Sequence, residues 1–479
     1  SRGLGMCIRD RYRGVTMKLI KNINKDIFRS YDVRGVYPKD INEDVSYTFG
    51  KAYGTYIKKL GQKQCVVGHD NRYSSKEIQN ALVQGIVESG VHVLNLGLVT
   101  TPMYYYASIR LNIPAGVMVT ASHNPKDDNG FKFSFDERGN AKGKMIEDFY
   151  HFLKKGEFDD GHGIITFFNI RDDYFNLLLQ SVKINTRNRK RVIIDCGNGT
   201  TSFFAPELYN LVGVDLIVLY GKSDPNFPNH HPDPCVEGNL KVLKDAVVEM
   251  HADVGIAFDG DGDRIGVVDE KGNYVPSDQL MILFARDILP KSENKRVLYD
   301  VKCSRALPEE IERLGGEAII NRTGNSYTKA ATKEKDCVFG GEFSGHLFFR
   351  DHFPGFDSGL YAGLRLIEIL TNSNRSVSEW LEGIPKYYST PEIKIATSDK
   401  IKNKVVDKVK EYCETAGYKI IDIDGVRIEL DDGWALIRVS NTGPNITARF
   451  EATTEEVRDK LKETFLELIE KFKKEREEE

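Results

Sequence analysis

The stretch "KRVIIDCGNG", residues 190–199, decides how the chain folds. Two bases precede an unbroken β-branched run, residues 192–194, which ends on Asp195 and a glycine-rich turn. A run that is apolar at every position has no solvent face, so it reads as a strand buried in a parallel sheet. Its aspartate then marks the edge where polar chemistry begins. Two other segments resemble it: "KQCVVGHD" (63–70), ending on Asp70, and "KRVLYDVKCS" (295–304), with Asp300. Amphipathic helices lie between them. One is expected from about Asp44 to Leu60, with Val45, Phe49, Ala52, Tyr53, Tyr56 and Leu60 on one face and Gly61 as the stop; another follows Ser75 and ends near Gly90. Three strand–helix units at intervals of about 105 to 125 residues predict a triplicated α/β domain with mixed, mostly parallel sheets.

The last hundred residues have a different pattern. "VRIEL", "WALIRVS" and "ITARFEA" are short strands joined by "DDG" and "NTGPN" turns, which predicts antiparallel hairpins. Thr453 and Glu456 are expected to form a capping box for a closing helix with Val457, Leu461, Phe465 and Leu468 inward. The expected boundaries are therefore 17–168, 169–272 and 273–385 for the α/β domains and 386–479 for an α+β domain. Residues 1–16, "SRGLGMCIRDRYRGVT", precede a natural-looking start at Met17, and "MCIRDR" matches one reading frame of a transposon end used in sequencing libraries. They are expected to be a non-native extension.

With 479 residues, 40% hydrophobic and 29% charged, the chain has the composition of a soluble multidomain protein. A net charge of −4 gives no general attraction to nucleic acid or anionic membrane, and no apolar run is long enough to span a bilayer. Seven scattered cysteines, none in a Cys-x-x-Cys pair, fit a reduced cytoplasmic protein without a zinc site.

The chemistry concentrates in "VGIAFDGDGDRIGVVDE" (254–270). Asp259, Asp261 and Asp263 alternate with glycines, so the backbone can aim three carboxylates at one point. Packed together they would repel by about 4 kcal/mol per close pair at an effective dielectric near 20. A divalent cation removes that repulsion, and oxygen ligands select Mg²⁺, Ca²⁺ or Mn²⁺. A calcium EF-hand would use Glu270 at its twelfth position, but Arg264 stands where that loop needs glycine and the flanks are strand-like. Three carboxylates suit Mg²⁺ better. Arg264 would point at an anion bound to the metal.

In "VMVTASHNPKDDNGFKFS" (117–134) a strand gives way to small polar residues around Ser122. Asn-Pro and Asn-Gly are also ordinary turn signals. A hydrolase would need His123 as the serine's base, but neighbours on a strand point to opposite faces. The alternative is that Ser122 carries a phosphoryl group, with Lys132 balancing charge or shuttling a proton. "DPNFPNHHPDP" (224–234) has His230 and His231, yet its prolines favour a rigid connection over a metal site.

Taken together, "TASHNP" (120–125), "DGDGDR" (259–264), "GEFSGH" (341–346) and "RVSNTGPNITARFEA" (438–452) resemble the α-D-phosphohexomutase superfamily, closest to its phosphomannomutase/phosphoglucomutase branch. The resemblance runs from "FRSYDVRG" to the C-terminal helix. It implies three related α/β domains and a smaller fourth around a central cleft. It implies that Ser122 is the phosphoserine and that one Mg²⁺ per chain is held by phosphorylated Ser122, Asp259, Asp261 and Asp263. Arg34, Lys132, Arg264 and His346 are then catalytic. Tyr31, Lys302, Asn325, Glu342, Ser344 and His346 meet the sugar or its phosphate, and Arg438, Ser440, Asn441 and Thr442 grip the phosphate that is not transferred. Asn325 departs from the family, which usually has histidine there, and Asn cannot take a proton at neutral pH.

The implied reaction interconverts hexose 1-phosphate and hexose 6-phosphate, of mannose and/or glucose. It passes through a hexose 1,6-bisphosphate, which is also the activator. Phosphosugars are the only implied partners, and a monomer or weak dimer is expected. A phosphoglucosamine mutase is the nearest alternative, although its loop more usually reads Gly-Glu-Gln-Ser-Gly-His where this chain has Phe343. An aspartate-nucleophile phosphatase and a non-catalytic sugar-phosphate binder are the rivals from other classes.

Overall fold

Each of the three aspartate-ending runs forms the centre of its own sheet. The structure, a computed structural model, describes residues 17–440 and 443–477, and the expectation for residues 1–16 lies outside it. Strand Gln64–His69 has parallel neighbours His92–Leu98 and Gly116–Val119, and the latter turns back into antiparallel Asp128–Ser134. Arg191–Asp195 is flanked in parallel by Asp215–Leu219 and Val254–Phe258, and Val254–Phe258 returns as antiparallel Ile265–Val268. Arg296–Asp300 lies between Glu317–Asn321 and Phe339–Gly341, and the return strand is Leu347–Phe349. The same topology thus occurs three times. In each copy one hairpin loop joins the third parallel strand to its antiparallel return, and those loops contain Ser122, the three aspartates and "GEFSGH" respectively. Edge strands extend the first sheet to six strands and the second to five, while the third has four.

Local chemistry explains the helices that cover these sheets. Helix Glu43–Lys59 starts at Asn42, whose side chain accepts the Val45 N–H at 3.0 Å. Acids fill its first turn and lysines its last, in the sense that complements the helix dipole. Its Val45, Phe49, Ala52 and Tyr53 are buried against the first sheet. Leu60 falls outside the helix and is 37% exposed, so it is a cap residue and not part of the apolar face. The second expected helix is Ser75–Glu88.

One continuous core joins the first three units: Tyr104 and Met118 of the first pack in the same cluster as Tyr209 and Ile256 of the second and Phe339 and Tyr361 of the third. The opposite face of the first sheet has a separate core around Phe49, Phe131, Phe133 and Phe149.

The C-terminal unit is a six-stranded antiparallel sheet covered by helices Lys402–Thr415 and Glu455–Glu477. The closing helix is capped one residue later than the sequence suggests: Thr454 Oγ1, not Thr453, accepts the Val457 N–H at 3.3 Å. Thr453 lies just past the last strand, Asn445–Ala452, and its N–H is bonded instead to Asp432 O. Among the described residues no helix is long and apolar enough to cross a membrane, and six cysteines are free.

Candidate active site

The loop after strand Gly116–Val119 brings Ser122 to the junction of the first two units. Thr120 Oγ1 accepts the Ser122 N–H at 2.8 Å, and Ser122 takes a left-handed φ of 51°. A serine held in that region costs energy and persists only where its surroundings over-determine it. Two buried arginines provide that constraint. Arg34 Nη1 donates to Ala121 O (3.1 Å) and Asn124 Oδ1 (2.5 Å), with its Nε on Asp32 at 2.7 Å. Arg72 donates to four loop carbonyls: Ser122 (2.8 Å), Asn124 (2.7 Å), Pro125 (2.6 Å) and Asp128 (3.0 Å).

The constrained Ser122 Oγ donates to Asp259 Oδ2 at 2.9 Å. His123 Nδ1 also lies 3.3 Å from Ser122 Oγ. This corrects the expectation that the two side chains diverge. The positive φ at Ser122 breaks the strand geometry on which alternation depends. Burial, then Arg264 and Arg34, push the His123 imidazole well below its ordinary pKa, so it stays neutral.

Asp259, Asp261 and Asp263 are fully or almost fully buried, and their oxygens cluster within 4.8 Å of one another. Glycine is required between the first two, because a Cβ at Gly260 would lie 2.5 Å from Ser122 O. Asp259 Oδ1 accepts the N–H groups of Gly262 and Arg264 at 3.0 and 3.1 Å. Asp261 Oδ2 accepts Thr101 and Thr120 hydroxyls at 2.5 and 3.2 Å, and Lys132 Nζ bridges Asp261 and Asp263 at 3.0 and 2.6 Å. The second oxygens of Asp261 and Asp263 are buried without a hydrogen-bond partner. Two orphaned carboxylate oxygens in one cluster of three buried carboxylates fit a hard divalent cation, with His346 Nδ1 3.7 Å from Asp263 Oδ1 at its edge.

The electrostatics agree. Burial, then Asp263 and Asp261, drive Asp259 well above the usual carboxylate range. Burial also opposes the charge on Asp261, but Lys132 and the Thr101 hydroxyl outweigh it and hold this carboxyl below its usual range. Burial would lower Lys132, yet Asp261 and Asp263 hold it well above an ordinary lysine. Glu270, the would-be twelfth EF-hand ligand, instead accepts the Ser376 hydroxyl at 2.9 Å and the Ser378 N–H at 3.2 Å.

The third unit meets this site through Arg264, whose Nε donates to His346 Nε2 at 3.1 Å. Glu342 Oε1 accepts the Gly324 N–H (2.7 Å) and the Thr328 hydroxyl, and its Oε2 accepts Ser344 Oγ at 2.9 Å, so the two acceptor positions of "GEFSGH" are adjacent. Asn325 is buried and donates to Asp357 Oδ2 at 2.5 Å. Tyr31 packs edge-on to Tyr327, 6.3 Å between ring centres, where the first unit touches the third. Burial, then Asp32, raise its phenol pKa.

The fourth unit is tied in by Asp424, which accepts both the Thr323 N–H (2.9 Å) and Arg438 Nε (3.0 Å). Lys302 lies 3.5 Å from Glu392 across the same boundary. Ser440 bonds through its N–H to Asn445 O; Asn441 and Thr442 lie outside the described residues.

Sequence reasoning missed Arg72, Thr101, Asp233 (3.8 Å from Arg264) and Asp357. Only Arg72 had a signal, its place two residues after the strand-ending Asp70. His230 proves structural: its Nε2 lies 3.1 Å from Asp195 Oδ2.

Comparison with known proteins agrees with this geometry. Four family models, described as phosphoglucomutase/phosphomannomutase domains I, II, III and C-terminal, match residues 25–160, 172–272, 276–388 and 392–468. The chain is 39% identical over 439 residues to a phosphomannomutase/phosphoglucomutase of Pseudomonas syringae pv. tomato, covering 92% of this chain and 94% of that protein. It is 40% identical over 453 residues to a phosphoglucomutase of Neisseria meningitidis, covering 94% and 98%. The crystal structure of a phosphoglucomutase/phosphomannomutase family protein from Burkholderia thailandensis superposes with a TM-score of 0.87 at 35% identity, covering 94% of this chain and 98% of that one.

Proposed function

Because the chain belongs to the phosphoglucomutase/phosphomannomutase family, we propose that the groups around Ser122 are the apparatus by which it interconverts hexose 1-phosphates and hexose 6-phosphates. The enzyme is an isomerase of mannose and/or glucose phosphates. One observation supports Ser122 as the phosphoryl carrier above all others: its hydroxyl is 2.9 Å from Asp259 Oδ2, inside a carboxylate cluster with two orphaned oxygens.

The sugar hydroxyl of a hexose 1-phosphate attacks phosphorus on phospho-Ser122, the P–Oγ bond breaks, and a hexose 1,6-bisphosphate results. After the bisphosphate turns over, Ser122 Oγ attacks the other phosphoryl group. Its proton is already directed at Asp259 Oδ2. Hexose 6-phosphate leaves and phospho-Ser122 is restored. Asp259, Asp261 and Asp263, with an oxygen of the phosphoserine, would hold one Mg²⁺, which supplies Lewis-acid neutralisation of the phosphoryl oxygens. Lys132, kept cationic by two carboxylates, balances charge beside them. Glu342 and Ser344 read sugar hydroxyls. Arg438 holds the phosphate that is not transferred, so one grip serves both orientations of the bisphosphate. Hexose 1,6-bisphosphate also recharges a dephosphorylated enzyme. Six free cysteines among the described residues support a reducing cytoplasmic location, and we place the enzyme there as a monomer or weak dimer.

A coupled assay with bisphosphate activator, run on mannose, glucose and glucosamine 1-phosphates, tests the reading. Mannose and glucose phosphates turn over, Ser122→Ala reduces the rate by orders of magnitude, and dialysis against EDTA abolishes it until Mg²⁺ is returned. A clear preference for glucosamine 1-phosphate, or full activity after EDTA, overturns the corresponding assignment.

A further inference from the structure

The strand-ending aspartate of the third unit does not do what its two counterparts do. Asp70 Oδ1 accepts the Arg72 N–H at 3.0 Å and Asp195 Oδ1 accepts the Gly197 N–H at 2.8 Å, so each holds the turn that follows its own strand. Asp300 reaches away from its strand instead. Its Oδ1 accepts the Phe343 N–H at 3.0 Å, 43 residues further along, and its Oδ2 accepts the Thr323 hydroxyl at 2.8 Å. Its own turn contributes the Cys303 thiol, 3.1 Å from Oδ1. The carboxylate is fully buried, a costly place unless it is paired and hydrogen-bonded.

Both long-range partners belong to segments that meet the substrate in the reading above. Phe343 stands between Glu342 and Ser344, the residues assigned to the sugar hydroxyls. Thr323 is the centre of three links. Its N–H donates to Asp424 Oδ2 at 2.9 Å, its hydroxyl goes to Asp300, and the next N–H, that of Gly324, goes to Glu342 Oε1 at 2.7 Å. Asp424 Oδ2 also accepts Arg438 Nε at 3.0 Å, which leaves Arg438 Nη2 buried without a hydrogen-bond partner. An orphaned guanidinium nitrogen in a buried place points to an anion as its missing acceptor. A continuous chain of hydrogen bonds therefore runs from the sugar loop through Asp300, Thr323 and Asp424 to Arg438. A rigid ligand with hydroxyls at one end and a phosphate at the other is held well only where its two sets of partners stand at the right separation.

We propose that Asp300 and Thr323 are a positioning pair: they set the spacing between the hydroxyl-reading loop and the phosphate grip, and so select ligands that carry a hexose ring and a phosphate together. This rests on the reading of Arg438 as the grip and of Glu342 and Ser344 as the hydroxyl readers. The pair acts through the groups it holds and takes no part in phosphoryl transfer.

The test is a comparison of two ligands, and it needs no turnover. EDTA-treated protein is titrated by calorimetry with glucose 6-phosphate and, separately, with inorganic phosphate, which engages the grip alone. Arg438→Ala should weaken both ligands, which checks the grip itself. Thr323→Val removes the hydroxyl while keeping the branched shape and the N–H to Asp424. It should weaken glucose 6-phosphate about 5- to 50-fold and leave phosphate binding as in wild type, and Thr323→Ser should restore the sugar phosphate. Adding Thr323→Val to Asp300→Asn should cost little more than either change alone, because both act through one link. Equal weakening of the two ligands by Thr323→Val, unchanged glucose 6-phosphate binding, or fully additive losses with Asp300→Asn would overturn the proposal while the grip stands. Arg438→Ala that leaves both ligands unchanged would remove the grip, and the proposal with it. If Asp300→Asn does not fold, the two Thr323 variants decide.

Discussion

Arg72 spends both terminal nitrogens of its guanidinium on the backbone of the Ser122 loop, with Nε facing Asp70, and no other described side chain contacts so many of its carbonyls. Leaving a buried acceptor unpaired costs about 1–3 kcal/mol, so Arg72→Ala should destabilise the protein by at least that amount and lower kcat more than it raises KM. Chemical denaturation and steady-state kinetics of one preparation check both. A second residue-scale prediction concerns pH. Burial alone would lower the His230 pKa, but Asp195 at 3.1 Å raises it above the free value. A raised folded pKa stabilises fully below the unfolded value of about 6.5 and loses that contribution as pH rises through the folded value. Melting curves between about pH 5.5 and 8.5 should therefore show wild type losing stability relative to His230→Gln across that window; parallel curves would deny the pair its role. Ser122 and the three aspartates were legible in the sequence because each lies in a short local run, small polar residues after a strand for the serine and glycine-spaced acids for the aspartates. Arg72 and Asp357 were not, because their partners lie 50 and 11 residues away and only the fold brings them together.

At the scale of elements, three functional loops occupy one topological position, the hairpin after the third parallel strand of each sheet. The strand-ending aspartates revealed the triplication, but the equivalence of the loops was not legible, since "TASHNP", "DGDGDR" and "GEFSGH" share no pattern. It follows from pairing: each return strand is antiparallel, so each loop is thrown to the same end of its sheet. The helix cap at Thr454 escaped for a smaller reason, because two adjacent threonines offer equivalent caps and the hydrogen bond from Thr453 to Asp432 selects between them. Close packing between loops gives a prediction. Gly260→Ala places a methyl 2.5 Å from Ser122 O, a backbone atom that cannot swing away. Overpacking of this kind costs about 1–3 kcal/mol. The variant should need more Mg²⁺ for half-maximal activity, measured by titrating the metal into EDTA-treated protein.

For the whole molecule, the first three units share a core, whereas the fourth has its own and meets the third through the pairs Thr323–Asp424 and Lys302–Glu392 and a small apolar cluster of Val301 with Trp434 and Leu436. The proposed phosphate grip would therefore sit on the unit outside the common core of the first three. On the proposed reading Arg438 would hold a phosphate present in ground and transition states alike, so Arg438→Ala should raise KM roughly ten- to a hundredfold, the equivalent of about 1.5–3 kcal/mol, with a small loss of kcat. An unchanged KM for both glucose and mannose 1-phosphates would place the non-reacting phosphate elsewhere. The most direct measurement follows the phosphoryl group itself. Protein charged with glucose 1,6-bisphosphate labelled with ³²P is isolated, digested and mapped, then a second portion is mixed with unlabelled glucose 1-phosphate and quenched at short times. One label per chain on the peptide containing Ser122, passing to the sugar within a single turnover, is the result predicted. Label on Asp259 or Asp261, label that persists in Ser122→Ala, or label that never reaches the sugar would contradict it.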